Sequence, residues 1–111
     1  DNLPAGMISC NRFDWANQSA DIGYWLGRAF RGRGIMTRAV RGMSDLAFHD
    51  YAMHRLVIRA AVDNEPSNGV AQRAGFHSEG ILRQNEKLAD GYHDEQLYSY
   101  LRSEWLATQV D

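Results

Sequence analysis

The apolar positions of the chain change their spacing several times, and each change marks a new element. Gly6-Met7-Ile8-Ser9-Cys10-Asn11-Arg12-Phe13 reads as a short strand. Asp14-Trp15-Ala16-Asn17-Gln18-Ser19 is a polar turn and Ala20 to Leu26 the next strand, so the two predict a hairpin. Ile22-Gly23-Tyr24-Trp25-Leu26 is apolar on both faces, as a central strand should be. From Ile35 to about Tyr51, Met36, Ala39, Val40, Met43, Leu46, Ala47 and Tyr51 recur at steps of three and four, which predicts an amphipathic helix. Arg55-Leu56-Val57-Ile58-Arg59-Ala60-Ala61-Val62 is the clearest strand, β-branched at its centre. A strand, a long helix and a second strand make a βαβ unit, hence a parallel pair.

The second half begins with a helix-entry signature, Asp63-Asn64-Glu65-Pro66-Ser67-Asn68. Asn64 suits the cap and Pro66 the first turn, where a missing N–H does no harm. The helix Pro66–Ala74 is expected to end at Gly75, a residue free to take the left-handed conformation. Phe76 to Gln84 and Tyr92 to Leu101 alternate as antiparallel strands, with Asn85 to Gly91 turning the chain. Arg102 to Val110 is a short tail whose Trp105 is expected to pack on the sheet.

Phe30-Arg31-Gly32-Arg33-Gly34-Ile35-Met36-Thr37 lies between the apolar strand and the long helix. Glycines one residue apart let the backbone turn tightly and approach a ligand. The helix behind them offers unpaired N–H groups and the positive end of its dipole, a seat for phosphate or pyrophosphate. Gly27 to Gly32 has P-loop spacing, but Arg33 and Gly34 stand where Lys and Ser/Thr are needed. A dinucleotide fingerprint needs a third glycine where Thr37 stands. A plain turn is the alternative. Arg28, Arg31, Arg33, Arg38 and Arg41 surround the loop with no acid between Asp21 and Asp45, which suggests an anion to neutralise or a solvated basic face.

At 111 residues the chain is long enough for one domain with a modest core. Its net charge of −2 implies no global attraction to nucleic acid or anionic membranes. Cys10 alone permits no internal disulfide, no run approaches the ~20 apolar residues that span a bilayer, and Asp1-Asn2-Leu3-Pro4 does not read as a signal peptide. A cytoplasmic setting is the resulting expectation. His49, His54, His77 and His93 lack metal spacing, so no metal is assigned.

Arg31-Gly32-Arg33-Gly34-Ile35-Met36-Thr37-Arg38-Ala39 resembles the coenzyme-A pyrophosphate loop of the GNAT superfamily of N-acetyltransferases, Arg/Gln-x-x-Gly-x-Gly/Ala. Arg31 and Gly34 match, and Met36 replaces the final small residue. Asn64-Glu65-Pro66-Ser67 and Arg73-Ala74-Gly75-Phe76 resemble the Asn-x-x-Ser…Lys-x-Gly-Phe segment of the Rim-type ribosomal-protein branch, as do Gly80-Ile81-Leu82-Arg83 and Gly91-Tyr92-His93-Asp94. The order agrees from about Gly6 to Trp105.

The resemblance implies a mixed α/β acyl-CoA N-acyltransferase fold. Its two parallel strands splay around the acetyl-pantetheine arm, and a C-terminal antiparallel hairpin completes the sheet. It implies acetyl-CoA as co-substrate, no metal, and an acceptor amine, with a ribosomal-protein N-terminus the type suggested. Trp25, Leu26 and Gly27 would line the arm, and Arg31, Gly32, Arg33, Gly34, Ile35, Met36 and Thr37 would hold the pyrophosphate. Asn64 would contact the arm besides capping its helix, and Ser67 would protonate the departing thiolate, unless it is only a first-turn residue. Arg73 would lie near the 3′-phosphate or at the surface. Asp21 is the best-placed acid for a base, or else a strand-end surface residue. Cys10 is not expected to act as a nucleophile.

In that family a first strand and a pair of helices ordinarily precede this point and shape the acceptor site. A chain starting at Asp1 is therefore expected to be processed or partial, and its uncovered sheet to dimerise or to accompany a missing or disordered segment. Two alternatives stay open: a small-molecule amine acceptor such as a polyamine or antibiotic, and a non-catalytic acyl-CoA-binding module.

Overall fold

The computed structural model describes residues 6–26 and 34–109. Five strands and three helices follow in the order β1 (Gly6–Asp14), β2 (Ser19–Leu26), α1 (Ile35–His49), β3 (Arg55–Ala61), α2 (Glu65–Arg73), β4 (His77–Leu88), β5 (Gly91–Leu101) and α3 (Arg102–Thr108). The sheet runs β1-β2-β3-β5-β4, and β2 with β3 is its parallel pair. This is the mixed α/β architecture expected, with the βαβ unit at its centre and the C-terminal hairpin along one side.

Alternation along the strands explains why the helices gather on one face. Ala20 and Ile22 of β2, Leu56 and Ile58 of β3, and Tyr98 and Tyr100 of β5 turn into a single core. Met36, Val40, Ala47 and Phe48 of α1, Val70 and Ala71 of α2, and Trp105 of α3 meet them there. The fully buried Phe48 sits edge-on to Tyr100, at 5.5 Å between centroids, and stacks on Trp105 at 5.3 Å. The other face of the sheet carries Asp21, Val57, Arg59 and Glu95.

Parallel pairing of β2 with β3 joins Ser19 to Arg55, Ala20 to Leu56 and Asp21 to Val57, and goes no further. β2 nevertheless continues to Leu26 and β3 to Ala61. The two strands therefore part beyond Asp21 and Val57, which is the splay that the resemblance implied.

One expectation needs correcting. The turn placed over Asn85 to Gly91 is much shorter: β4 continues to Leu88, pairs with Gly91, and leaves only Ala89 and Asp90 to close the hairpin. An irregularity between Leu82 and Glu86 absorbs the polar residues that mimic a loop, held where Asp94 Oδ1 accepts the Gln84 N–H at 2.7 Å. The tail, given no element by the sequence, is helical over Arg102–Thr108, where Glu104 Oε1 accepts the Leu101 N–H at 2.9 Å. Trp105 packs on Phe48 of α1, and its indole N–H donates to Asp45 Oδ1 at 2.7 Å.

Candidate active site

The gap between the parting strands opens into a cleft of about 640 Å³. β2 lends it Tyr24 and Trp25, the start of α1 lends Gly34, Ile35, Met36 and Thr37, and α2 closes it with Asn64, Pro66, Ser67, Val70 and Arg73. The sequence had nominated Trp25, Gly34, Ile35, Met36, Thr37, Asn64, Ser67 and Arg73, and all of these line this one cleft. Gly27, Arg31, Gly32 and Arg33, and the side chain of Leu26, lie outside the described residues.

The start of α1 has the geometry of an anion seat. Gly34 takes φ +70°, a left-handed conformation that costs glycine little and other residues more. No side chain caps the helix and no acid stands in its first turn. The Thr37 hydroxyl is buried without a hydrogen-bonding partner among the described residues. A buried unpaired hydroxyl costs roughly 1–3 kcal/mol, so its presence at the cleft wall suits a ligand that bonds to it. A phosphate oxygen meets both the hydroxyl and the dipole.

α2 brings the second group of residues. Asn64 Oδ1 accepts the Ser67 N–H at 3.2 Å, so Asn64 is the cap the sequence indicated. The Tyr24 hydroxyl crosses from β2 and donates to the Ser67 carbonyl at 2.7 Å. Burial, reinforced by Tyr98, pushes the Tyr24 phenol well above its ordinary range despite Arg73, so it stays protonated and donating. Asn68 binds the far side of the same turn. Its amide donates to the carbonyls of Ala61 at 2.9 Å and Asn64 at 2.7 Å, and its Oδ1 accepts the Tyr98 hydroxyl at 2.7 Å. Arg73 folds back along α2, its Nη1 2.8 Å from where a Cβ on Gly69 would stand.

Tyr24, which lines the cleft, and Asn68, which braces the turn behind it, are residues that sequence reasoning passed over. The signal for Tyr24 was a phenol inside an apolar strand, because a buried tyrosine needs a partner for its hydroxyl. Asn68 carried no signal beyond its place one residue after Ser67.

Asp21 is not among the residues lining the cleft. It lies on the helix-free face, ion-paired with Arg59 and 3.7 Å from Arg12. Burial raises its carboxyl, the Arg12 guanidinium opposes that rise, and the charge of Glu95 adds to it. On the same face Glu86 hydrogen-bonds Glu95, and burial together with that neighbour raises the Glu86 carboxyl. Glu95 is itself buried, with Oε1 accepting from Asn85 Nδ2 at 2.6 Å. Cys10 has its thiol raised by burial and by the charge of Asp21, the opposite of the lowering that activates a nucleophilic cysteine.

A model of the acetyltransferase (GNAT) domain matches residues 1–77. The chain belongs to the GNAT acetyltransferase family. The ribosomal-protein-serine acetyltransferase of Escherichia coli (strain K12) is 44% identical over 98 residues, covering 85% of this chain and 52% of the relative. The solved structure of RimL, a ribosomal L7/L12 α-N-protein acetyltransferase in complex with coenzyme A, is 37% identical with a TM-score of 0.84, over 90% of this chain and 56% of that one. The microcin C7 self-immunity acetyltransferase MccE, in complex with acetyl-CoA and AMP, is 42% identical with a TM-score of 0.80, over 87% of this chain and 54% of that one. The chain thus spans about half the length of these GNAT relatives. Among the described residues no helix is long and apolar enough to cross a membrane, and no group of three His, Cys, Asp or Glu could hold a metal ion.

Proposed function

We propose that this chain carries the acetyl-CoA site of an N-acetyltransferase acting on a primary amine, in the first place a protein N-terminal α-amine of the ribosomal-protein type. One observation carries the reading: the uncapped start of α1, with its unpartnered Thr37 hydroxyl, and the Asn64–Ser67 turn of α2 wall the same cleft where β2 and β3 separate. The coenzyme's diphosphate belongs at Gly34–Thr37 and its pantetheine arm along Trp25 and Asn64. Arg73 stands by for the 3′-phosphate. The named substrates of the E. coli relative and of RimL support the choice of acceptor, and a cytoplasmic setting goes with it.

The reaction needs no covalent enzyme intermediate. The neutral amine attacks the thioester carbonyl, the N–C bond forms, and the C–S bond breaks. The amine gives a proton to a base, the thiolate takes one from the Ser67 hydroxyl, and Ser67 regains a proton from that base through solvent, leaving the N-acetylated amine and free thiol. Glu86 and Asp21 share one face of the sheet, and burial raises both carboxyls above the ordinary range, with Glu95 adding to the rise of Glu86. Two guanidiniums beside Asp21 disfavour uptake of a proton there, which favours Glu86 as the base.

Calorimetric titration with acetyl-CoA, with dephospho-CoA as control, tests the coenzyme site. Saturable binding weakened by loss of the 3′-phosphate is expected, and no binding by the folded chain overturns the assignment. Thiol release with a serine-initiated peptide then tests transfer. In active protein, Glu86→Gln should remove the acid limb of the kcat/KM profile while Asp21→Asn keeps it. The reverse result reassigns the base to Asp21.

A further inference from the structure

Where the backbone ladder between β2 and β3 stops, side chains take over the spanning of the gap. Tyr24 is three residues beyond the last paired residue of β2, and its hydroxyl reaches the Ser67 carbonyl at 2.7 Å. The opposite side of the same helical turn is tied to the end of β3 through Asn68 and Ala61, and to β5 through Asn68 and Tyr98. Gln72 Nε2 also donates to the Tyr98 hydroxyl, at 3.4 Å. The turn that carries Ser67 is thus suspended between both lips of the split sheet. Tyr24 is the link to the β2 lip, and its phenol is also a wall of the cleft.

We propose that Tyr24 is a positioning residue for acetyl transfer: by holding the Ser67 carbonyl it fixes the first turn of α2 against β2 and so aims the Ser67 hydroxyl at the sulfur end of the cleft. This rests on the acetyl-transfer reading above. The bond goes to the backbone of Ser67, so the serine hydroxyl keeps its own donor for the leaving group. A near-attack geometry is lost by displacements of about an ångström, and a turn released on one side moves by that order. Tyr24 need not touch the reacting atoms to govern the rate.

The test compares the parent, Tyr24→Phe, Ser67→Ala and the double variant. The phenylalanine keeps the ring and removes only the hydroxyl. Each protein is titrated with acetyl-CoA and assayed for thiol release with a serine-initiated peptide at saturating acetyl-CoA. Tyr24→Phe should bind acetyl-CoA within about 2-fold of the parent while kcat falls roughly 10-fold, and the double variant should be no slower than Ser67→Ala. A wall that merely contacts the coenzyme would lose affinity and rate together, which overturns the proposal. So does a double variant slowed by the product of the two single effects, because Tyr24 then acts without Ser67. A Tyr24→Phe variant as fast as an active parent sinks the positioning role alone. A parent that neither binds acetyl-CoA nor releases thiol removes the acetyl-transfer reading, and the role of Tyr24 falls with it.

Discussion

Asp21 and Val57 are the last Cα partners joining the two parallel strands of this sheet. Beyond them β2 keeps its antiparallel register with β1 as far as Leu26, and β3 keeps its register with β5 as far as Ala61. Each strand therefore has its outer edge occupied and its inner edge turned toward the cleft. An extended amide-bearing ligand can pair with that inner edge as a further strand would.

Hydrogen exchange will show whether it does. Saturation with acetyl-CoA should slow exchange at the amides between Ile22 and Leu26 that do not pair with β1, by roughly 10-fold or more. Amides of Met7 to Cys10, on the far side of β2, should change little. Equal protection on both sides of β2 would signal general stiffening rather than pairing in the cleft.

Thr37 separates stability from binding. Its hydroxyl is buried and has no hydrogen-bonding partner among the described residues, so Thr37→Val should leave the free protein as stable or firmer by about 1 kcal/mol. The same change removes a donor to a phosphate oxygen, and hydrogen bonds to charged groups make a loss of roughly 10-fold in acetyl-CoA affinity the expected result. Thermal melts and titrations of the same samples measure both. Unchanged affinity would place the phosphates elsewhere.

Glu79 sets a pH dependence that has nothing to do with the cleft. Arg55 grips it with two bonds at 2.6 and 2.9 Å, and the Ser99 hydroxyl adds another. These bonds lower its carboxyl from the ordinary 4.5 to about 2. A lowered carboxylate contributes stability that is fully present above the unfolded value and fades as pH falls from there toward the folded one. Glu79→Gln should therefore destabilise at pH 7 and converge with the parent as the pH approaches about 2. The pair is about a third exposed, so solvent screens much of the effect and added salt should reduce it. A constant gap between the two proteins across that range would mean that shape, not charge, is what glutamate supplies.

The sequence was most legible where one physical demand acted alone. α1 announced itself because Met36, Ala39, Val40, Met43 and Ala47 recur at helical steps, although Leu46 and Tyr51 of that pattern are exposed and the buried Phe48 was passed over, and β3 because Val57 and Ile58 make its centre β-branched. Gly34 and Asn64 were legible because a left-handed residue and an N-cap leave few choices of side chain. The β4–β5 hairpin was misjudged in length because Asn85, Glu86 and Lys87 look like loop residues, whereas they sit on a strand with partners across it in Glu95 and Tyr92. α3 went unread because seven residues are too few to show a period, and its cap comes from Glu104 reaching back to Leu101. Tyr24 acts through the Ser67 carbonyl and Asn68 through the Tyr98 hydroxyl, both far away in sequence, a relation that no local pattern encodes.

Gly69 offers a last separation of fold from site. It stands within α2, where alanine in place of glycine is worth about 0.5–1 kcal/mol in favour of the helix. A Cβ there would come 2.8 Å from Nη1 of Arg73, a flexible tip that can move aside without disturbing the backbone. Gly69→Ala should therefore melt no lower than the parent, while the Arg73 guanidinium leaves its place along the cleft wall. If Arg73 answers the 3′-phosphate, the preference for acetyl-CoA over dephospho-CoA should shrink in this variant, as it should in Arg73→Ala, with affinity for dephospho-CoA itself nearly unchanged. A variant that keeps the full preference would show that the 3′-phosphate is held by other cations, and the arginines before α1 would be the next to replace.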